Sequence, residues 1–158
     1  MKISRKYLFE SIEVILYAGI MVILLYLLFW PLRVDGSSME STLFSEDRII
    51  VSRTLSLFPL SRNDIVVCNI HNAYGSTAII KRIIALPLEH LEIINGVIYI
   101  NGEQIDQSYA QNIVRDNLSI VLGEDEYFIM GDNRSVSKDS RHIGPVNRID
   151  IIARVLFR

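Results

Sequence analysis

Cysteine, tryptophan and proline are scarce in this sequence, which has one, one and four of them in 158 residues. The single cysteine, Cys68, excludes an internal disulfide, so a domain outside the cytoplasm must be held together by its core alone. Cys68 lies in the apolar run "DIVVCNI" and is expected to pack as a small hydrophobic residue. Clusters of Cys and His with zinc-ligand spacing and glycine-rich phosphate loops are also lacking, so we predict no metal and no cofactor.

Charge is missing altogether from Val14 to Leu32. As a helix of about 1.5 Å per residue this run reaches about 28 Å, close to the hydrocarbon thickness of a bilayer. The run is longer than the apolar part of a cleaved signal peptide, and no small-x-small cleavage site follows it, so we predict a retained, single-pass membrane anchor at 14–32. More positive charge lies before the run than just after it. This predicts that residues 1–13 are cytoplasmic and that residues 33–158 lie outside the cell membrane.

An excess of basic residues is lacking as well. Acidic residues outnumber basic ones and give the chain a net charge of −2. Such a balance offers no positively charged surface for nucleic acid, so we predict no nucleic-acid partner. The lipid bilayer is the first partner that the sequence predicts.

After the anchor, the sequence has the pattern of β-strands. Short runs rich in Ile and Val recur between turn residues, and none keeps a 3.6-residue repeat for long. Asn95-Gly96 and Asn101-Gly102 separate apolar runs and predict type I′ hairpin turns. The polar, aperiodic segment 106–119 predicts a small, non-catalytic excursion at about 95–125. The predicted fold is mainly β, with one N-terminal transmembrane helix. Strands are expected at Asp47–Arg53, Asp64–Ile70, Thr77–Leu86, Leu91–Ile94, Val97–Ile100, Glu126–Met130 and Ile151–Leu156.

A hydroxyl-rich turn, "DGSSMEST" at 35–42, follows the anchor within a few residues. Serine beside glycine is normally a turn former, and a serine hydroxyl is a poor nucleophile at neutral pH unless a base lies within about 3 Å. Lys81 is a base only when neutral, and burial in apolar surroundings lowers the pKa of a lysine. In a strand, Lys81 shares a face with Ile79 and Ile83, which would bury it. The alternative is a strand lysine that extends into solvent.

Four segments, in this order after one N-terminal span, resemble the bacterial type I signal peptidases, membrane-anchored serine proteases with a Ser–Lys catalytic pair. They are "DGSSMESTL" (35–43), "NDIVVC" (63–68), "IIKRIIALP" (79–87) and "GDNRSVSKDSRHIGPV" (131–146). The last segment is the most specific. The resemblance implies a signal-peptidase-like β-fold and a serine endopeptidase that removes signal peptides from exported preproteins through an acyl-enzyme.

The family pattern S/D-G-x-S-M-x-P-T-L places the nucleophile on Ser38, and Lys81 matches the general base. Ser137 matches the serine that hydrogen-bonds and orients that lysine. In some members a serine at the position of Gly36 helps form the oxyanion hole, so here the hole is expected to use mainly the N–H of Ser38. The substrate and oxyanion backbone is assigned to Gly36, Ser37 and Met39. Bracing ion pairs between charges two residues apart are assigned to Asp132, Arg134, Asp139 and Arg141.

Four residues at three sites depart from the family pattern. Ser41 stands where proline is usual, Val136 where asparagine is usual, and Leu88-Glu89 where Gly-Asp is common. Loss of the proline predicts a freer loop after the nucleophile. Together the departures favour a narrow, dedicated set of substrates.

The sequence also allows three other interpretations. His71, His90 or His142 with Asp132 or Asp139 would make a Ser–His–Asp arrangement, in which His142 is the histidine inside a motif. A non-processing relative in export or surface-structure assembly would bind a partner's strand without cutting it. A mitochondrial inner-membrane relative with the same Ser–Lys chemistry also fits the residues.

Overall fold

A computed structural model describes residues 5–53, 59–72 and 75–157, which form one long helix followed by two antiparallel sheets. The elements in chain order are α1 (Arg5–Leu28), β1 (Phe29–Arg33), β2 (Arg48–Ser52), β3 (Ile65–Asn72), β4 (Gly75–Ala85), β5 (His90–Ile94), β6 (Val97–Ile100), β7 (Glu103–Gln104), β8 (Leu118–Val121), β9 (Glu126–Met130), α2 (Ser140–Ile143), β10 (Val146–Asn147), a 3-10 helix (Arg148–Asp150) and β11 (Ile151–Phe157). One sheet has the strand order β1-β2-β11-β3-β4-β9-β10, and the other has the order β7-β6-β5-β8. The mainly β fold class is confirmed.

The seven predicted strands are all present, with ends that differ by one or two residues at most. The structure adds four strands that the sequence pattern did not predict, namely β1, β7, β8 and β10. Two of them, β7 and β10, have only two residues each, too few to show an alternating pattern.

Helix α1 is exposed from Glu10 to Leu28. Its part Glu10–Leu28 is long and apolar enough to cross a membrane, and none of that part is buried in the protein. The helix ends four residues before the predicted end of the anchor at Leu32. Residues 29–33 form β1 instead, because Pro31 lacks the N–H that continues a helix and disfavours helical backbone in the residue before it.

The seven-stranded sheet has a hydrophobic core on each face. Side chains alternate along β3, so Val66 and Cys68 pack on one face and Val67 packs on the other. Cys68 is fully buried, and burial raises the pKa of its thiol to about 12. It therefore packs as the small hydrophobic residue that the sequence predicted.

The four-stranded sheet corresponds to the excursion predicted at about 95–125, with β5 added. Asn95-Gly96 and Asn101-Gly102 each have two consecutive residues with positive φ, as type I′ turns require. The sheet shares a third core with the large sheet, whose Ile84 and Phe128 are fully buried there. The connection from β7 to β8 (residues 105–117) leaves this sheet and contacts the candidate site.

Strand β4 is paired on both sides over only part of its length. It pairs with β3 along 75–82, whereas β9 pairs only with Arg82, Ile83 and Ala85. Within the described part of the chain, the second side of residues 75–81 has no strand partner. We call this side the open edge of β4, and it ends at Lys81.

Candidate active site

Ser38 lies in the loop that joins β1 to β2, and the packing of its neighbours fixes its position. Val34 N–H donates to Asp47 O at 2.9 Å across the base of the loop. Met39 and Leu43 are 1% and 2% exposed and belong to the core on that face of the sheet. Because the residue after it is buried, Ser38 is held at the margin of this core. Packing of Met39 in the core therefore fixes the position of the loop.

Lys81 reaches Ser38 from the end of the open edge of β4. Its Nζ lies 2.6 Å from Ser38 Oγ, and it donates a hydrogen bond to Ile80 O at 3.0 Å. Lys81 is only 4% exposed. Burial lowers the pKa of its amine, and the negative charge of Asp139 opposes this effect only in part. The structure thus brings together the predicted nucleophile and the predicted base, with the base in the dry surroundings that it needs.

The backbone N–H of Ser38 is available as a donor at the site. Gly36 has φ +91°, a conformation that glycine adopts without strain. Asn133 holds the loop by donating from its N–H to Ser38 O at 3.0 Å and from its side chain to Ser37 O at 3.3 Å. The N–H of Ser38 donates to no group of the described residues. This N–H is the donor expected to face a developing oxyanion.

Ser137 is buried near the dyad but is not hydrogen-bonded to Lys81. Its hydroxyl makes no well-aligned hydrogen bond with the described residues, although it lies near enough to the Asp139 carboxylate to help lower the pKa of that group. It packs over Gly131, where an added Cβ would overlap both Ser137 Oγ and Ser38 O. The lysine-orienting hydrogen bond implied by the resemblance is therefore not formed here, and Ser137 is linked to the nucleophile through packing on Gly131.

The first predicted ion pair, between Asp132 and Arg134, is wrong. Asp132 pairs instead with Arg82, which donates from Nε to Oδ1 at 2.8 Å and from Nη2 to Oδ2 at 2.6 Å. A guanidinium makes two such bonds only to a carboxylate that faces it. The pairing of β4 with β9 provides this geometry, because it places Arg82 opposite Met130, two residues before Asp132. Arg134 donates to a backbone carbonyl and to Gln107 Oε1 at 2.5 Å.

The second predicted ion pair, between Asp139 and Arg141, is present. Arg141 donates from Nε and Nη2 to the two carboxylate oxygens at 2.9 and 3.0 Å. Burial alone would raise the pKa of Asp139, but hydrogen bonds from Arg141 and from Gly131 N–H, together with the nearby Ser137 hydroxyl, outweigh burial and lower it. Arg141 also donates to Asp116 at 2.7 Å, which ties the 105–117 connection to this network.

Three residues near the dyad were missed by the sequence reasoning. Arg82 follows Lys81 directly, and its place in the Lys-Arg pair was the available signal. Thr42 Oγ1 donates to Asp132 Oδ2 at 2.5 Å. The ring of Tyr109 covers the guanidinium of Arg82, with Cζ 4.2 Å from the ring centre. Tyr109 belongs to the 105–117 connection, so the excursion predicted to be non-catalytic contributes contacts to the site. No local sequence signal marks Tyr109.

The three histidines do not reach Ser38. His142 is more than half exposed, and its Nδ1 lies 3.9 Å from Asp139 Oδ1. His71 and His90 lie on β3 and β5, where they are near Asp150 and Ser119 respectively. The Ser–His–Asp alternative therefore lacks a histidine in contact with the serine.

A pocket of about 300 Å³ adjoins the dyad. Its walls include the aliphatic side chains of Leu32, Ala78 and Ile80, and Ser38 and Lys81 also line it. The pocket therefore lies between the end of β1 and the open edge of β4. Among the described residues, no group of three His, Cys, Asp or Glu side chains is arranged to hold a metal ion.

Two of the residues that depart from the family pattern, Ser41 and Glu89, make hydrogen bonds to distant parts of the chain. Ser41 has φ +64°, and its hydroxyl donates to Tyr109 O at 2.6 Å, so the loop after the nucleophile is tied down rather than freed as predicted. Glu89 accepts a hydrogen bond from Arg62 at 2.6 Å. Val136 is 58% exposed, and its environment does not explain the departure.

Comparison with known proteins identifies the family. The family described as signal peptidase, peptidase S26, matches residues 8–158. Signal peptidase I P of Bacillus subtilis subsp. natto is 34% identical over 165 residues, covering 96% of this chain and 88% of that protein. Signal peptidase I S of Bacillus subtilis strain 168 is 36% identical over 153 residues, covering 88% and 81%. A crystal structure of a signal peptidase I from Enterococcus faecalis V583 is similar with a TM-score of 0.53 at 26% identity, covering 63% of this chain and 97% of that one.

The chain therefore belongs to the signal peptidase family, peptidase S26. The resemblance seen in the four motifs is confirmed, and so is the signal-peptidase-like β-fold. Membership also confirms the class of enzyme expected from the motifs, a serine peptidase.

Proposed function

We propose that this peptidase is a signal peptidase I that removes signal peptides from exported preproteins, with Ser38 as nucleophile and Lys81 as general base. The observation that carries the proposal is the 2.6 Å contact between Lys81 Nζ and Ser38 Oγ at a lysine that is 4% exposed. A base must lie within hydrogen-bond reach of the proton that it takes, and a lysine must be neutral to take it. Both conditions are supported by the geometry and by the lowered pKa of Lys81.

In the proposed mechanism, neutral Lys81 accepts the proton of Ser38, and Oγ attacks the scissile carbonyl carbon. The N–H of Ser38 donates to the oxyanion of the tetrahedral intermediate. As this intermediate collapses, the C–N bond breaks and Lys81 returns the proton to the leaving amine, which leaves an acyl-enzyme. Water, deprotonated by the same amine, then hydrolyses the ester and restores Ser38. Cleavage therefore requires a pH above the pKa of Lys81.

The signal peptide is proposed to bind as an added strand along the open edge of β4. Among the described residues, 75–81 have no strand partner on that side, so an extended peptide can pair there backbone to backbone. The edge ends at Lys81, so a peptide lying on it arrives at the dyad. The adjoining pocket of about 300 Å³ would admit small side chains next to the scissile bond. A narrow, dedicated substrate set stays a prediction from the three departures.

Helix α1 is proposed to anchor the enzyme in the cell membrane, with the N-terminus in the cytoplasm and the two sheets outside. The apolar, unburied part Glu10–Leu28 supports an anchor, and the excess of positive charge before it supports this orientation. Membrane-delivered preproteins would then meet the dyad near the outer surface of the bilayer.

The test is cleavage of a preprotein by the full-length chain in phospholipid vesicles. We expect Ser38→Ala and Lys81→Met to abolish cleavage, because the first removes the nucleophile and the second removes the base in a side chain of similar length. Lys138→Met is the matched control, since Lys138 is exposed, and it should cleave at the wild-type rate.

Cleavage that persists in folded Lys81→Met would refute the dyad. Binding of preprotein without cleavage by the wild-type chain would instead support the alternative of a non-processing partner in export or surface assembly.

A further inference from the structure

We propose that Ser41 and Tyr109 are positioning residues that hold the loop of the nucleophile against the strand of the base. Two contacts, which we call the strap, carry this role: the hydrogen bond from Ser41 to the backbone of Tyr109, and the stacking of the Tyr109 ring on Arg82. The inference rests on the proposed function of Ser38 and Lys81 and extends it to two residues that lie outside the dyad.

The backbone at Ser41 shows that the loop is held from outside. Ser41 has φ +64°, in the left-handed region that residues other than glycine enter at an energetic cost. Such a conformation persists only where surrounding contacts fix it. Proline at this position, with φ fixed near −65°, is incompatible with this conformation. The 2.6 Å hydrogen bond from Ser41 Oγ to Tyr109 O, across 68 residues of sequence, is the contact that fixes it.

Tyr109 also contacts β4, the strand that carries Lys81. Its ring lies over the guanidinium of Arg82, the residue that follows Lys81, with Cζ 4.2 Å from the ring centre. A cation over the face of an aromatic ring is attracted by the negative charge density of that face. The Tyr109 hydroxyl is buried and has no hydrogen-bond partner in the described residues. The face of the ring, and not the hydroxyl, is therefore the functional part of this side chain.

The strap closes a ring of contacts around the dyad. Arg82 donates twice to Asp132, and Thr42 also donates to Asp132, so the strand of the base is joined again to the residue after Ser41. Tyr109 packs in addition against the core of the four-stranded sheet. The loop and the strand thus have a common support outside the large sheet.

Position matters here because proton transfer needs Nζ and Oγ at hydrogen-bond distance. A displacement of 1 Å at a reacting group costs on the order of 100-fold in rate. Losing one contact of the strap should move the loop by less than that. We therefore expect a moderate loss of kcat with little change in KM, because the open edge of β4 and its pocket remain intact.

The first experiment measures kcat and KM for the full-length chain in phospholipid vesicles with a preprotein substrate, at a temperature where every variant is folded. Ser41→Ala should lower kcat roughly three- to tenfold and leave KM within about twofold. Ser45→Ala is the matched control, because Ser45 is an exposed serine of the same loop. It should have wild-type constants.

The second pair of variants separates the ring from its hydroxyl. Tyr109→Leu keeps apolar packing but loses the aromatic face, and it should lower kcat roughly tenfold. Tyr109→Phe keeps the face and should retain wild-type kcat. Wild-type kcat in Ser41→Ala, or equal kcat in Tyr109→Leu and Tyr109→Phe, would overturn the proposal. So would a lower unfolding temperature in Ser41→Ala with no change in kcat, since that indicates a purely structural role.

The two levels of the hypothesis fail in different ways. If Lys81→Met is inactive while Ser41→Ala and Tyr109→Leu keep wild-type kcat, the strap is wrong and the dyad stands. If folded Lys81→Met still cleaves, the dyad itself is wrong, and the strap falls with it.

Discussion

Lys81 connects the stability of this protein to its proposed chemistry, because one buried amine is unfavourable for the fold when charged. The unfolded chain keeps a proton on this amine up to about pH 10.4, whereas burial lowers its pKa in the folded state. Between the two pKa values the unfolded state binds more protons than the folded state, so stability rises with pH through that window. Below the folded pKa, the stability penalty of burying the amine no longer changes with pH.

We therefore predict that Lys81→Met is inactive but more stable than the wild type. At pH 7 its free energy of unfolding should be higher by about 1–3 kcal/mol, because methionine fills the same space and has no amine that must be desolvated or deprotonated on folding. The gain should shrink as the pH approaches 10. Urea unfolding at pH 7 and at pH 10 measures both effects, with Lys138→Met as the exposed control. A lower free energy of unfolding for Lys81→Met at pH 7 would contradict this account.

At the residue scale, the family motifs predicted the contact of the dyad, whereas charge spacing alone predicted only a contact between near neighbours. Ser38 and Lys81 were selected from motifs, and the pair Asp139–Arg141 was predicted from two charges two residues apart. The true partner of Asp132 was missed because it lies 50 residues away on another strand. Only the register of β4 with β9 brings those two charges together, and no local sequence pattern encodes that register.

At the scale of the elements, two Asn-Gly turns of the four-stranded sheet have the same backbone but different surroundings. Gly96 and Gly102 both have φ +85°. A Cβ at Gly96 would overlap Val114 O and the Ile113 side chain, whereas a Cβ at Gly102 would meet nothing within 4 Å. Comparing a substitution at Gly96 with the same substitution at Gly102 therefore separates the cost of positive φ from the cost of steric overlap.

We predict that Gly96→Ala destabilises the protein more than Gly102→Ala does. Both variants carry the cost of a side chain at positive φ, about 1–2 kcal/mol. Gly96→Ala should lose about a further 1–3 kcal/mol, because a backbone carbonyl cannot move away as a side chain can. Urea unfolding of the two variants side by side measures the difference. Equal losses would mean that the 105–117 connection yields easily, contrary to its packing here.

The pattern of apolar residues predicted some strands and missed others. Strands such as β6 and β9 contain enough apolar residues between turn signals to be predicted in full. Strand β1 was missed because it contains Pro31 and follows an apolar run without a break, which gave it the appearance of helix. As an edge strand, β1 tolerates that proline, since one of its sides needs no N–H.

For the whole molecule, retention in the membrane should depend on the apolar surface of α1. Ile20 lies near the middle of Glu10–Leu28 and is 45% exposed. We predict that Ile20→Arg lowers the fraction of protein that remains in the membrane after alkaline extraction, because arginine at the centre of a spanning helix costs about 2.5–3.5 kcal/mol. Ile20→Leu should be retained like the wild type. Full retention of Ile20→Arg would show that other surfaces hold the protein to the bilayer.

The arrangement of the two sheets could not be predicted from the sequence. Residues 95–125 were predicted as an excursion because segment 106–119 is polar and aperiodic. Strand β8 was missed there, since its Leu118 and Ile120 pack against a core that the large sheet completes with Ile84 and Phe128. The same docking places Tyr109 against Arg82 and Asp116 against Arg141. Contacts of this kind arise from tertiary packing, which single-sequence periodicity does not report.

Helix α1 ends at Leu28 and β1 begins at the next residue, so no hinge separates the anchor from the sheet. With α1 in the bilayer, the helix would fix the distance of Ser38 from the membrane surface. A preprotein would be cut only when its scissile bond stands at the height of the serine, whatever its sequence. Bilayers of different thickness would then change which preproteins are processed.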